Sequence, residues 1–153
     1  MSTIFFHIDE MKESDLPAVR NLAEQLGYSA EIVDLARRFY ALTKSQDHKL
    51  FVARNGDQQA VGWVHVGTEM ASLIADDRAG IGALVVDSQA RSRGIGASLM
   101  KTAEKWASDR NLKLMRVRSN MKRSEAHRFY QRQGYEIVKS WHLFTKTLAE
   151  VEQ

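Results

Sequence analysis

The chain has 153 residues, 44% hydrophobic and 27% charged, with one proline. That length suits a single domain spanning 1–153 with its own core. A net charge of +3 is too small to indicate nucleic acid by itself. The absence of cysteine excludes disulfides, zinc–thiolate sites and thiol nucleophiles. The opening MSTIFFHIDEMKESD has no basic start followed by a long apolar stretch, so it does not read as a signal peptide. No apolar run approaches the ~20 residues of a membrane helix. The expectation is a cytoplasmic, unanchored protein with no membrane partner.

In chain order, TIFFHI (3–8) reads as a first strand. A helix follows from Ser14, a potential cap, with Leu16, Val19, Leu22, Ala23 and Leu26 at helical spacing and Pro17 harmless in the first turn. Gly27 ends it, and a second helix runs from about Ala30 to Leu42, with Ile32, Leu35, Ala36 and Phe39 on one side. KLFVAR (49–54) and QAVGWVHV (59–66) are strands joined through an Asn-Gly turn. AGIGALVV (79–86) reads as a buried strand, with Gly80 and Gly82 marking a close approach of ligand or backbone. A helix from near Gly94 to about Asp109 carries the stripe Ile95, Leu99, Ala103 and Trp106. LMRVRS (114–119) is a strand, and SEAHRFYQRQ (124–133) a helix stopped by Gly134. YEIVKSW and HLFTKTL complete the pattern as two further strands. The expected class is α/β (α+β): a mixed, mainly antiparallel sheet of about seven strands with helices on both faces.

The stretch RSRGIGASLM (91–100) joins the strand 79–86 to the following helix. A helix N-terminus offers unpaired N–H groups and the positive end of the helix dipole, which together suit phosphate. Gly94 and Gly96 admit a ligand to the backbone, and Arg91 and Arg93 add charge for phosphate oxygens. The stretch lacks the Gly-Lys-Ser/Thr of a nucleoside-triphosphate loop and the third glycine of a dinucleotide fingerprint. The plainer alternative is a glycine turn with solvated arginines.

LVVDSQARSRGIGASLM resembles the central motif of the GNAT superfamily of acyl-CoA-dependent N-acetyltransferases, with Arg91, Gly94 and Gly96 on it. NMKRSEAHRFYQRQGYE resembles the second family motif through Ala126, Tyr130, Gly134 and Tyr135. Motif spacing and element order extend the resemblance from Ile4 to Leu148. It implies the GNAT fold and an N-acetyltransferase that moves acetyl from acetyl-CoA to a primary amine by direct attack. Strands 79–86 and 114–119 would splay, and backbone of Leu84, Val85 and Val86 would hold the pantetheine arm. The N–H groups of Arg93, Gly94, Ile95, Gly96, Ala97 and Ser98 would hold the pyrophosphate, assisted by Arg91 and Arg123. An N–H near Val85 or Val86 would polarise the thioester carbonyl. Asn120 would contact the cofactor, and Tyr130 would protonate the leaving thiolate. Side-chain packing beside Phe129 is the alternative role for Tyr130.

The family's usual strand glutamate has no counterpart at Arg78–Ile81. Glu69, Asp76, Asp77 and His65 are alternative bases, or the amine arrives already deprotonated. The resemblance places the acceptor near Leu26–Ser29, Trp63, His65, Trp141 and Phe144, with residues 69–77 as a mobile lip. The histidines, at 7, 48, 65, 127 and 142, have no metal-ligand spacing, so no metal is expected. Six basic residues between Arg116 and Arg132 form a stripe, but base-stacking aromatics are not interleaved there, so no nucleic-acid partner is expected. Family members are often homodimers, though nothing in the sequence marks an interface. A non-catalytic acyl-CoA sensor is the second functional reading, and a nucleic-acid-binding protein the third.

Overall fold

In the computed structural model, residues 5–119 and 121–149 are described. Asn120, expected at the cofactor, lies outside them. The backbone groups into two compact units, divided after Arg118.

The first unit holds a five-stranded sheet in the order β1-β2-β3-β4-β5. The strands are β1 (Phe6–Glu10), β2 (His48–Asn55), β3 (Ala60–Glu69), β4 (Arg78–Val86) and β5 (Met115–Val117). All neighbours are antiparallel except β4 and β5, which run parallel. Helices α1 (Leu16–Glu24) and α2 (Ile32–Lys44) lie between β1 and β2, and α3 (Ile95–Asp109) carries the crossover from β4 to β5.

Alternation along the strands sends successive side chains to opposite faces, and each face has its own core. On one, Ala53, Val64 and Val66 pack with Ile95, Leu99 and Ala103 of α3. On the other, Leu50 and Val52 pack with Leu16, Val19 and Phe39 of α1 and α2. Gly62 lets α3 sit close. A Cβ there would lie 3.0 Å from the Val85 carbonyl oxygen and 3.2 Å from both Ile95 and Leu99 side-chain carbons.

The first helix begins differently from the sequence expectation. Glu13–Asp15 form a 3-10 turn, and Asp15 rather than Ser14 organises it by accepting the Lys12 N–H at 2.7 Å. The Asp15 carboxylate also takes the Arg54 guanidinium as a fork, with contacts of 2.6 and 2.7 Å. Arg54 Nε donates to Asp9 at 3.1 Å. This buried cluster ties β1, β2 and the start of α1 together.

The second unit contains α4 (Ser124–Arg132). Gly134, at φ +92°, closes it: its N–H donates to Gln131 O, and Tyr135 N–H donates to Tyr130 O, both at 3.0 Å. This is a Schellman ending. The two strands expected over 135–148 are absent from these described residues, so the sheet has five strands rather than about seven. Ile137, Val138, Leu143, Phe144 and Leu148 are exposed there. Strand-like composition measures fit to a pleated, half-buried surface, and without a paired ladder it does not make a strand.

Candidate functional site

The turn from β4 into α3 is pinned from α1. The Gln25 side chain receives the Ser88 N–H at 2.9 Å and donates to Asp87 at 3.3 Å. Asp87 also accepts the Gln89 N–H at 3.2 Å, starting a short 3-10 turn over Ser88–Ala90. Ser92 and Gly94 then take left-handed conformations, at φ 65° and 84°. A Cβ on Gly94 would meet nothing within 4 Å, so backbone conformation rather than crowding favours glycine here.

Gly94 is the N-cap of α3 and, with no side chain of its own, makes no cap hydrogen bond. The first helical bond reaching back to it is Ser98 N–H to Gly94 O, at 3.0 Å. The N–H groups of Ile95, Gly96 and Ala97 therefore have no intrahelical acceptor and sit at the positive dipole end. The Ile95 side chain is buried in the core, which anchors this first turn. Arg91 and Arg93 are exposed beside it, and Arg91 Nε reaches Val86 O at 3.4 Å. Gly96, Ala97 and Ser98 are half-buried. The arrangement suits a diphosphate: open donors, positive potential and adjacent guanidinium groups.

β4 supplies an open edge next to this cradle. It pairs with β5 only at Ala79, Gly80 and Ile81, the last opposite Val117, yet continues to Val86. Beyond Ile81 its only strand partner among the described residues is β3, so alternate backbone groups of residues 82–86 face the side with no described strand. Leu84, Val85 and Val86 all lie on this stretch. An extended ligand arm could hydrogen-bond there as an added strand does.

Further from the cradle, β3 and the start of β4 carry a polar group of side chains. Glu69 Oε2 is held by Arg78 Nε at 3.1 Å and by Arg116 Nη2 at 2.5 Å. His65 Nε2 lies 3.0 Å from His48 Nδ1. Burial, with a smaller effect from His48, lowers the His65 pKa and favours neutral imidazole. The Trp63 indole N–H is buried and has no hydrogen-bond partner among the described residues. Asp76 and Asp77 lie in the exposed turn after Glu69, where Asp77 accepts the Ala71 N–H. Tyr28, expected at the acceptor, is 70% exposed.

In the second unit, Tyr130 is half-buried on α4, edge-on to Phe129 at 5.2 Å and to Tyr135 at 6.1 Å. Burial raises its pKa, and the Arg123 charge partly offsets the rise. The hydroxyl therefore remains protonated at neutral pH, as a proton donor requires. Arg123 is exposed at the start of the helix.

Sequence reasoning anticipated the glycine turn into α3 and the parting of β4 from β5 but did not pair His48 with His65. The hairpin register supplies the signal: His48 opposes Gly67 and Leu50 opposes His65, making the histidines diagonal neighbours on one face. Among the described residues, no group of three or more His, Asp or Glu side chains is placed to hold a metal. Nor is any helix among them long and apolar enough to cross a membrane.

A helix N-terminus follows a strand that pairs with β5 over only its first part, in a mixed sheet with helices on both faces, which defines a mixed α/β domain. The Acetyltransferase (GNAT) family model matches residues 15–135, and the chain belongs to that family. It is 35% identical over 101 residues to an aminoalkylphosphonate N-acetyltransferase of Salmonella typhimurium. That match covers 66% of this chain but only 63% of the relative, less than two thirds of its length. Among solved structures, a transcriptional regulator from Bacillus halodurans superposes with a TM-score of 0.82 at 26% identity, covering 93% of this chain and all of that one. An aminoglycoside N-acetyltransferase, AAC(6')-Iy in complex with CoA, superposes at 0.83 with 15% identity, over 95% and 97% of the two chains.

Proposed function

We propose that the protein is a single-domain N-acetyltransferase that moves acetyl from acetyl-CoA to the primary amine of a small molecule, in one ternary complex. The observation that carries this reading is the uncapped α3 N-terminus next to the unpaired stretch of β4. The family match crosses the boundary between the compact units, which supports treating 1–153 as one domain. The aminoalkylphosphonate and aminoglycoside enzymes both act on small amines, which supports that acceptor class.

In this reading, N–H groups of residues 93–97, with Arg91 and Arg123, bind the pyrophosphate of the co-substrate; the Ser98 N–H, expected among them, is instead given to Gly94 O. Leu84, Val85 and Val86 hold its extended arm through the backbone. An N–H near Val85 or Val86 receives the charge that develops on the carbonyl oxygen. Asn120 follows the family motif as a further contact. Tyr130 gives its proton to the departing thiolate. Tyr130→Phe tests this: turnover should fall by about 10²–10⁴-fold while acetyl-CoA affinity stays nearly unchanged. Thiol release is measured with a panel of 2-aminoethylphosphonate, kanamycin and spermidine, and equal turnover by both proteins removes Tyr130 from the mechanism.

The second reading is a non-catalytic acyl-CoA-binding regulator, favoured by the likeness to the Bacillus halodurans regulator. It predicts acetyl-CoA binding without thiol release for every amine in the panel.

A further inference from the structure

Two glycines on the sheet make room for two imidazoles. A Cβ on Gly67 would lie 2.6 Å from His48 Nδ1, and one on Gly82 would lie 2.5 Å from His65 Nδ1. His65 thus has one ring nitrogen directed to His48 and the other beside the Gly82 backbone. Gly82 is exposed. It is the extra residue in the irregular register of β4, between the pairs His65↔Ala83 and Val66↔Ile81. It is also the first β4 residue beyond the last pair with β5. At about 3.3 Å per residue, Leu84 lies only about 7 Å further along the strand. The open nitrogen of His65 therefore borders the mouth of the unpaired edge.

We propose that His65 takes the proton from the acceptor ammonium and that His48 relays it to solvent. This assignment rests on the amine-acetylating reading above. Glu69 is a poorer acceptor because two guanidinium groups already occupy its Oε2. The Trp63 indole N–H, two residues from His65 on the same face of β3, is buried with no hydrogen-bond partner among the described residues, a donor left over for a polar group there. His48 also lines an open cleft of about 550 Å³ at the end of the sheet, which supplies the exit to water.

The proton balance follows from the tautomers. His65 accepts at Nδ1 while its Nε2–H donates to His48 Nδ1. When the ammonium releases a proton to His65 Nδ1, the Nε2 proton passes to His48 Nδ1, and His48 Nε2–H leaves to water; after product leaves, proton exchange with water returns both rings to their starting tautomers. The freed amine forms the C–N bond, the C–S bond breaks, and the second amine proton balances the one given to the thiolate. In sum, an ammonium and a thioester become an amide, a thiol and one released proton.

The charges near the pair come from several strands and a helix. Glu69, four residues beyond His65 on β3, is paired with Arg78 and Arg116. Around the His48 cleft stand Glu10, Lys49, Lys105, Asp109 and Arg110. The near neighbour of each histidine is the other histidine, with Nε2 of His65 3.0 Å from Nδ1 of His48.

The test combines kinetics with a readout that needs no acceptor. His65→Gln should lower kcat/KM at neutral pH by about 10²–10⁴-fold for 2-aminoethylphosphonate or kanamycin. The deficit should close toward pH ~10.4, where the amine arrives deprotonated. His48→Gln should move the acidic limb of the wild-type profile to higher pH, because the neighbouring charge that lowers the His65 pKa is gone; a packing role would leave that limb in place. Nitrogen-15 NMR of wild-type protein should show His65 as the Nε2–H tautomer at neutral pH. An Nδ1–H tautomer, or acetyl-CoA binding with full turnover in His65→Gln, overturns the relay and leaves the acetyltransferase reading intact. Wild-type protein that neither binds acetyl-CoA nor releases thiol overturns both.

Discussion

Asp15→Asn probes the joint on which α1 is set over the sheet. Asp15 and Arg54 are only 5% and 6% exposed, and the fork between them has contacts of 2.6 and 2.7 Å. Removing one partner of a buried pair costs about 3–5 kcal/mol, because the remaining charge stays out of water. Asp9 still receives Arg54 Nε at 3.1 Å, which places the expected loss at the low end, about 3 kcal/mol. For a chain of this size that corresponds to a fall in Tm of roughly 6–12 °C. Urea unfolding followed by tryptophan fluorescence should show the midpoint fall by about 1.5 M with an unchanged slope. The double variant Asp15→Leu/Arg54→Met should recover much of the loss, since apolar replacement of a whole buried pair is often neutral. A loss below about 1 kcal/mol in Asp15→Asn would match an exposed ion pair and refute the reasoning.

Gly62→Ala should destabilise by about 1–3 kcal/mol, because the new methyl meets the Val85 carbonyl and two packed side chains of α3; wild-type stability in urea would contradict the close packing. Arg54, first through its hydrogen bond, lowers the Asp9 pKa. The folded value lies below the unfolded one, so this contribution is present above pH ~3.9 and is lost as pH falls through the folded value. Asp9→Asn should flatten that part of the acid unfolding curve, and an unchanged Tm-versus-pH slope would contradict the coupling.

The helices and the strands of the sheet were legible because their signals are local. Stripes at helical spacing marked α1, α2 and α3, and Gly27, Gly94 and Gly134 do take the left-handed conformations that end or begin helices. The turn that opens α3 was legible for the same reason: its glycines and arginines lie within six consecutive residues. Contacts that depend on register were not. Arg54 and Asp15 are 39 residues apart, and His48 meets His65 only once β2 and β3 are aligned. The irregularity at Gly82 and the end of β4–β5 pairing after Ile81 are properties of the ladder, not of any single segment. The segments over 135–148 show the converse, since their apolar residues read as strands but no strand forms there among the described residues.

The most direct test of the central claim is calorimetric titration of acetyl-CoA into the wild-type protein and into Gly96→Glu. Gly96 lies in the first turn of α3, where the carboxylate would oppose a bound diphosphate and crowd the backbone donors. The account predicts saturable binding to wild type and loss of at least about tenfold in affinity, or ~1.4 kcal/mol, in a variant with the same circular dichroism. Equal affinity in both proteins, or no heat with wild type, would contradict the assignment of this turn as the pyrophosphate site.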